Sequence, residues 1–154
     1  MNSSTLISHG DIETKDIGEK ISNFISKKNN SFPFLIFLIG ELGAGKTTLC
    51  KGILRGLGHK GVVKSPTYNL VETYEISDFS IFHFDFYQIS HPKELSNIGI
   101  QEYLDTNNGV SIIEWPEKMI SFLPDPDIKI MLNHSENNDE ERILEIKSKD
   151  SIDL

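Results

Sequence analysis

The chain has 154 residues, 38% of them apolar, and a formal net charge of −8, one domain's worth of ordinary soluble globular composition. No apolar run approaches the roughly 18 residues of a membrane span, and MNSSTLISHGDIETKD lacks the basic and apolar regions of a secretory signal. A single cysteine, Cys50, can form no internal disulfide, and only two arginines, Arg55 and Arg142, stand among scattered lysines. The expectation is a reducing cytoplasm, no membrane, and no direct nucleic-acid contact.

One domain is expected over residues 1–154, with 1–10 and 149–154 as loose ends, or with a short edge strand around Thr5 to Ser8. Asp11 reads as a helix N-cap with Glu13 in the first turn. Ile17, Ile21, Phe24 and Ile25 then fall on one helical face, and Asn29-Asn30-Ser31 and Pro33 break the pattern.

The apolar run Phe34 to Ile39 meets Gly40, and G-x-x-x-x-G-K-T closes on Gly40, Gly45, Lys46 and Thr47. This is a nucleotide-phosphate loop in its strand–loop–helix setting. Its glycines let successive N–H groups face one concavity, and the next helix adds its free N–H groups and positive dipole end. Binding is assigned to Glu41, Leu42, Gly43, Ala44, Gly45, Lys46, Thr47 and Thr48. Lys46 reaches the terminal phosphates, and the Thr47 hydroxyl holds Mg²⁺.

Leu49, Ile53, Leu54 and Leu57 give the following helix its buried stripe, and Gly56 and Gly58 offer a stop. Pro66 stiffens Ser65-Pro66-Thr67-Tyr68, which places the Thr67 hydroxyl in an ordered loop near the nucleotide site. Residues 68–76 and 80–87 read as an antiparallel hairpin joined through Ser77-Asp78-Phe79. His91 to Leu104 is helical, Val110 to Glu114 a buried strand, and 127–133 with 142–148 a closing hairpin. The fold class is α/β: a three-layer nucleoside-triphosphatase fold whose parallel core is extended by antiparallel hairpins.

Two apolar strands end in an acid, at Asp85 and Glu114, where open α/β sheets bind their ligands. One acid would hold the metal and the other orient an attacking water; spacing does not rank them. His83, between Phe82 and Phe84, reads as a core or interface histidine. Trp115 is assignable to core, interface or site.

The phosphate loop, Ser65-Pro66-Thr67-Tyr68, His83-Phe84-Asp85-Phe86-Tyr87 and Ile113-Glu114-Trp115-Pro116 occur in that order. Together they resemble the TsaE (YjeE) family, the ATPase component of bacterial tRNA threonylcarbamoyladenosine biosynthesis. The likeness runs from Asp11-Ile12-Glu13-Thr14 to Arg142. It implies ATP and Mg²⁺, with Glu114 as metal ligand beside Thr47 and with Asp85 also needed. It implies Thr14 near the base and Arg142 closing over it. It further implies TsaB and TsaD as partners, tRNA reached only through them, and slow hydrolysis that the partners stimulate and that resets their complex.

One position departs from the family pattern: Gln88 stands where arginine is usual, so the charge and the bidentate fork are lost. Small-molecule kinases, GTPases and non-hydrolysing switch modules are the competing classes. The first lacks an arginine-bearing lid, the second lacks an N-K-x-D segment, and the third differs only in turnover.

Overall fold

The computed structural model describes residues 1–28, 33–76 and 78–154. The expected break at Asn29-Asn30-Ser31 and the link residue Ser77 lie outside them. The strands are β1 (Asn2–His9), β2 (Phe34–Ile39), β3 (Val71–Ile76), β4 (Phe79–Asp85), β5 (Gly109–Glu114), β6 (Ile128–His134) and β7 (Glu141–Ser148). The helices are α1 (Asp11–Ser26), α2 (Lys46–Gly56), α3 (Lys93–Ile98) and α4 (Ile100–Leu104), with a 3-10 segment at Pro116–Phe122.

All seven strands form one sheet in the order β1-β7-β6-β2-β5-β4-β3. β2 is parallel to β5 and β6, and β4 is parallel to β5, while β3, β7 and β1 join antiparallel. The α/β fold with a parallel core and hairpin extensions is therefore present. Because β2 and β5 are covered on both faces, neither alternates: β2 is an unbroken apolar run, and β5 is buried throughout with Ser111 within it.

The two faces carry separate cores. On one, Ile36, Leu38, Ile81, Ile112 and Ile130 pack with Ile21 and Ile25 of α1 and Leu49 and Ile53 of α2. On the other, Leu35, Phe37, Phe84 and Ile113 pack with Leu95, Leu104 and Met119. α1 and α2 touch closely through Gly18: a Cβ there would meet the Leu49 carbonyl oxygen at 2.7 Å. Ser22 ties the same pair by donating to the Ile53 carbonyl at 2.6 Å.

Three local expectations change. Residues 2–9 are not a loose end but the edge strand, longer than Thr5 to Ser8 and paired along β7 for eight residues. Near the other terminus Ile152 is buried in the α1/α2 core, and the Lys149 N–H donates to the Asp127 carbonyl at 3.0 Å. The N-cap of α1 is Gly10 rather than Asp11, because the chain enters there at φ 95 and ψ 174, a conformation glycine adopts freely. Glu13 reaches back to accept the His9 N–H at 2.7 Å.

Candidate functional site

Because β2, β4 and β5 run parallel, their C-terminal ends meet at one edge of the sheet. Register puts Asp85 directly opposite Glu114. The loop after β2 turns into α2 through Gly45, whose φ of 103 a side chain would strain. No acidic residue occupies the first turn of α2, so its free N–H groups and dipole are left for an external anion.

A cleft of about 730 Å³ opens over this edge. Leu42 to Thr48 of the loop line it together with Thr14, Thr67, Asp85, Glu114, Trp115 and Arg142. Of the residues assigned from sequence, Glu41 alone is outside the lining; its carbonyl instead accepts from Lys46. Ile12 of the Asp11–Thr14 segment also lines the cleft, as do His9, Gly10, Asp139 and Glu140, which stand in no motif.

Lys46 is buried, and its Nζ donates to the Gly40 carbonyl at 2.5 Å and the Glu41 carbonyl at 2.9 Å. It also lies 4.4 Å from the centre of the Trp115 ring. Burial pushes its pKa down, while the charges of Glu114, Glu117, Asp85 and Glu41 act the other way without prevailing. The Lys46 ammonium thus faces several carboxylates. Glu117, in the first turn after Trp115-Pro116, belongs to this ring of acids and was not singled out from sequence.

Glu114, 3% exposed, sits under the loop. The Thr47 hydroxyl lies 3.3 Å from each of its carboxylate oxygens. His83 Nε2 lies 2.6 Å from Glu114 Oε2. Burial alone would push His83 down, but Cys50 beside the ring and Glu114 outweigh it and raise its pKa to about 10. The core reading of His83 from its apolar neighbours thus describes its burial but not its partner.

Asp85 is half-buried, and its Oδ1 accepts the Tyr87 N–H at 2.9 Å. Burial raises its pKa and the Glu114 charge adds to this, offset in part by that N–H. Thr67 shares a 2.6 Å hydrogen bond with Ser65 beside the buried Pro66. Thr14 is 2% exposed, and its hydroxyl is engaged with Ser8 and the Gly10 carbonyl, so its methyl and backbone are what it offers the cleft. Arg142 reaches the loop itself: Nη2 donates to the Gly43 carbonyl at 3.4 Å, and Nη1 holds the Asp139 and Glu141 carbonyls. Gln88 is exposed in the turn beyond β4.

Trp115 adopts φ 59, which is uncommon for a bulky residue. It is held there by its N–H to the Leu38 carbonyl at 3.3 Å and by the Tyr87 ring at 5.0 Å. Of its three possible roles, two are observed together: it walls the cleft and packs against the Phe84 core.

The site fits Mg²⁺ carried by phosphates. Thr47 and Glu114 supply converging hard oxygens, and such sites take one or two protein ligands with the rest from phosphate and water. Among the described residues no group of three or more His, Cys, Asp or Glu could hold a metal, so a metal at this pair would draw its remaining ligands from phosphate and water.

Residues 8–144 match the family model described as threonylcarbamoyl adenosine biosynthesis protein TsaE. The chain is 44% identical over 117 residues to the tRNA threonylcarbamoyladenosine biosynthesis protein TsaE of Haemophilus influenzae, covering 76% of this chain and 73% of that one. The protein of that name from Bacillus subtilis is 30% identical over 129 residues, 84% of this chain and 77% of the relative. The crystal structure of Bacillus subtilis YdiB superposes with a TM-score of 0.76 at 26% identity, covering 96% of this chain and 86% of that one. With the family's match running from the end of β1 into β7 and taking in the whole cleft, the chain belongs to the TsaE family of threonylcarbamoyl adenosine biosynthesis proteins.

Proposed function

We propose that this protein binds ATP with Mg²⁺ in the cleft and hydrolyses it. The observation that carries the reading is the convergence of Thr47 and Glu114 at 3.3 Å beneath the phosphate loop, with Lys46 on the same helix. The loop N–H groups and the start of α2 bind the β- and γ-phosphates. Lys46 leaves its carbonyl partners to neutralise the terminal phosphoryl group. Thr47 and Glu114 would hold Mg²⁺, which would offset the negative charge that develops on the phosphate oxygens.

In hydrolysis a water oxygen forms a bond to the γ-phosphorus as the bond to the bridging oxygen breaks, yielding ADP and phosphate. Asp85, opposite Glu114, orients that water and accepts its hydrogen bond. Thr67 brings a hydroxyl from the Ser65–Tyr68 loop, and Arg142 holds the loop from the β7 side. Thr14 and Ile12 line the end of the cleft where the base would lie.

The place of this activity is tRNA threonylcarbamoyladenosine synthesis in the cytoplasm, in company with TsaB and TsaD. Hydrolysis resets their complex, and tRNA is met only through them. The formal net charge of −8 supports indirect contact with the nucleic acid. Phosphate release measured with and without the two partners tests this. Stimulation by the partners is expected; tight ATP binding with no stimulated release would make the protein a nucleotide-dependent interaction module instead.

A further inference from the structure

Glu114 is gripped from behind. His83 on β4 and Glu114 on β5 lie on the same sheet face, offset by two residues in a register that pairs His83 with Ile112. His83 is completely buried, and its Nε2–H meets Glu114 Oε2 at 2.6 Å. Its other ring nitrogen, Nδ1, has no hydrogen-bond partner among the described residues. Thr47 and Cys50, one helical turn apart on α2, flank the pair, with Thr47 against the carboxylate and Cys50 against the ring. The short hydrogen bond of the imidazole, at 2.6 Å, goes to the carboxylate that faces Thr47.

A glutamate side chain carries three rotatable bonds, and freezing them opposes binding of anything that needs one orientation. A histidine packed on all sides has one orientation already. Its N–H takes one lone pair of Oε2 and leaves the remaining carboxylate lone pairs facing Thr47. We propose that His83 is a positioning residue that fixes the Glu114 carboxylate for the metal carried by the nucleotide. This rests on the Mg²⁺–ATP reading of the cleft. A histidine that merely filled core space would serve equally well as a leucine of similar size.

The test separates metal from nucleotide. Mn²⁺ affinity is read by electron paramagnetic resonance with a non-hydrolysable ATP analogue, and analogue affinity is read in parallel with EDTA present. His83→Leu is expected to lose about 10- to 100-fold in Mn²⁺ affinity, the range typical of partners that orient a metal ligand, with unchanged affinity in EDTA. His83→Gln, whose amide nitrogen occupies the place of Nε2, is expected to stay close to the parent. His83→Asn, whose amide reaches only the Nδ1 position, is expected to fall with the leucine variant and serves in its place if that variant fails to fold.

Parent-like Mn²⁺ affinity in a folded Leu or Asn variant would overturn the proposal. So would a glutamine variant as weak as the leucine one, since shape rather than the donor would then matter. No metal-dependent signal in the parent protein would overturn the Mg²⁺ reading itself.

Discussion

The Lys46 ammonium stands 4.4 Å from the centre of the Trp115 ring, and that ring is held by a left-handed backbone and the Tyr87 face. Cation–ring attraction in a partly desolvated wall is worth about 1–2 kcal/mol, comparable to the carbonyl hydrogen bonds Lys46 also makes. On the proposed reading, a triphosphate bound at the loop draws Lys46 off both.

Trp115 is the chain's only tryptophan, so its fluorescence reports this movement without labelling. Titration with Mg²⁺–ATP is expected to shift or change the intensity of the emission, saturating with binding. An invariant spectrum, where equilibrium dialysis shows the nucleotide bound, would mean that Lys46 stays on the ring.

Asp85 gives a pH signature. Its folded pKa is raised above the ordinary 3.8, by burial first and by Glu114 second. Between the unfolded and folded values the native protein holds more protons than the unfolded chain, so stability falls as pH rises through that window. The penalty is complete above the folded value and absent below the ordinary one. Asp85→Asn keeps an acceptor for the Tyr87 N–H and removes the charge. Its melting temperature is expected to exceed the parent's near neutral pH, with the difference vanishing in acid below the ordinary carboxylate range. Loss of phosphate release should accompany the gain in stability. A variant less stable than the parent near neutrality would contradict the assignment.

The α1–α2 contact predicts a stability effect remote from the chemistry. Gly18→Ala places a methyl group against the Leu49 carbonyl and the Gly52 backbone, neither of which can swing aside. Overpacking of this kind costs about 1–3 kcal/mol, which for a domain of this size lowers the melting temperature by about 2–4 °C per kcal/mol. Because α2 begins at Lys46, nucleotide affinity should weaken as well. A melting temperature equal to the parent's would show that the helices have room to part.

What could be read from the chain without its structure was what is local. Gly40 to Thr47 is contiguous, so strand, turn and helix start announce themselves together, and the buried parallel strands declare themselves by runs such as Phe34 to Ile39. The ends of β4 and β5 were visible, but not that Asp85 and Glu114 stand opposite each other, because register is set by packing between segments about thirty residues apart. β1 was legible only as a short edge strand around Thr5 to Ser8, for a different reason. Asn2 to His9 is mostly polar, and it is a strand because β7, well over a hundred residues on, offers it a ladder. The same distance concealed Arg142 on the Gly43 carbonyl. His83 shows how a correct local reading can be incomplete: its apolar neighbours predict burial, and only the sheet supplies Glu114 as its partner.

The central claim is that a nucleoside triphosphate is held at the loop by Lys46 above Thr47 and Glu114. Calorimetric titration of Mg²⁺–ATP into the parent protein and into Lys46→Ala tests it most directly. Saturable binding by the parent and its loss, by at least about 100-fold, in a folded Lys46→Ala variant is the predicted result; the ion-paired contacts of a buried lysine with phosphate are worth about 3 kcal/mol or more. Unchanged affinity in that variant would contradict the account.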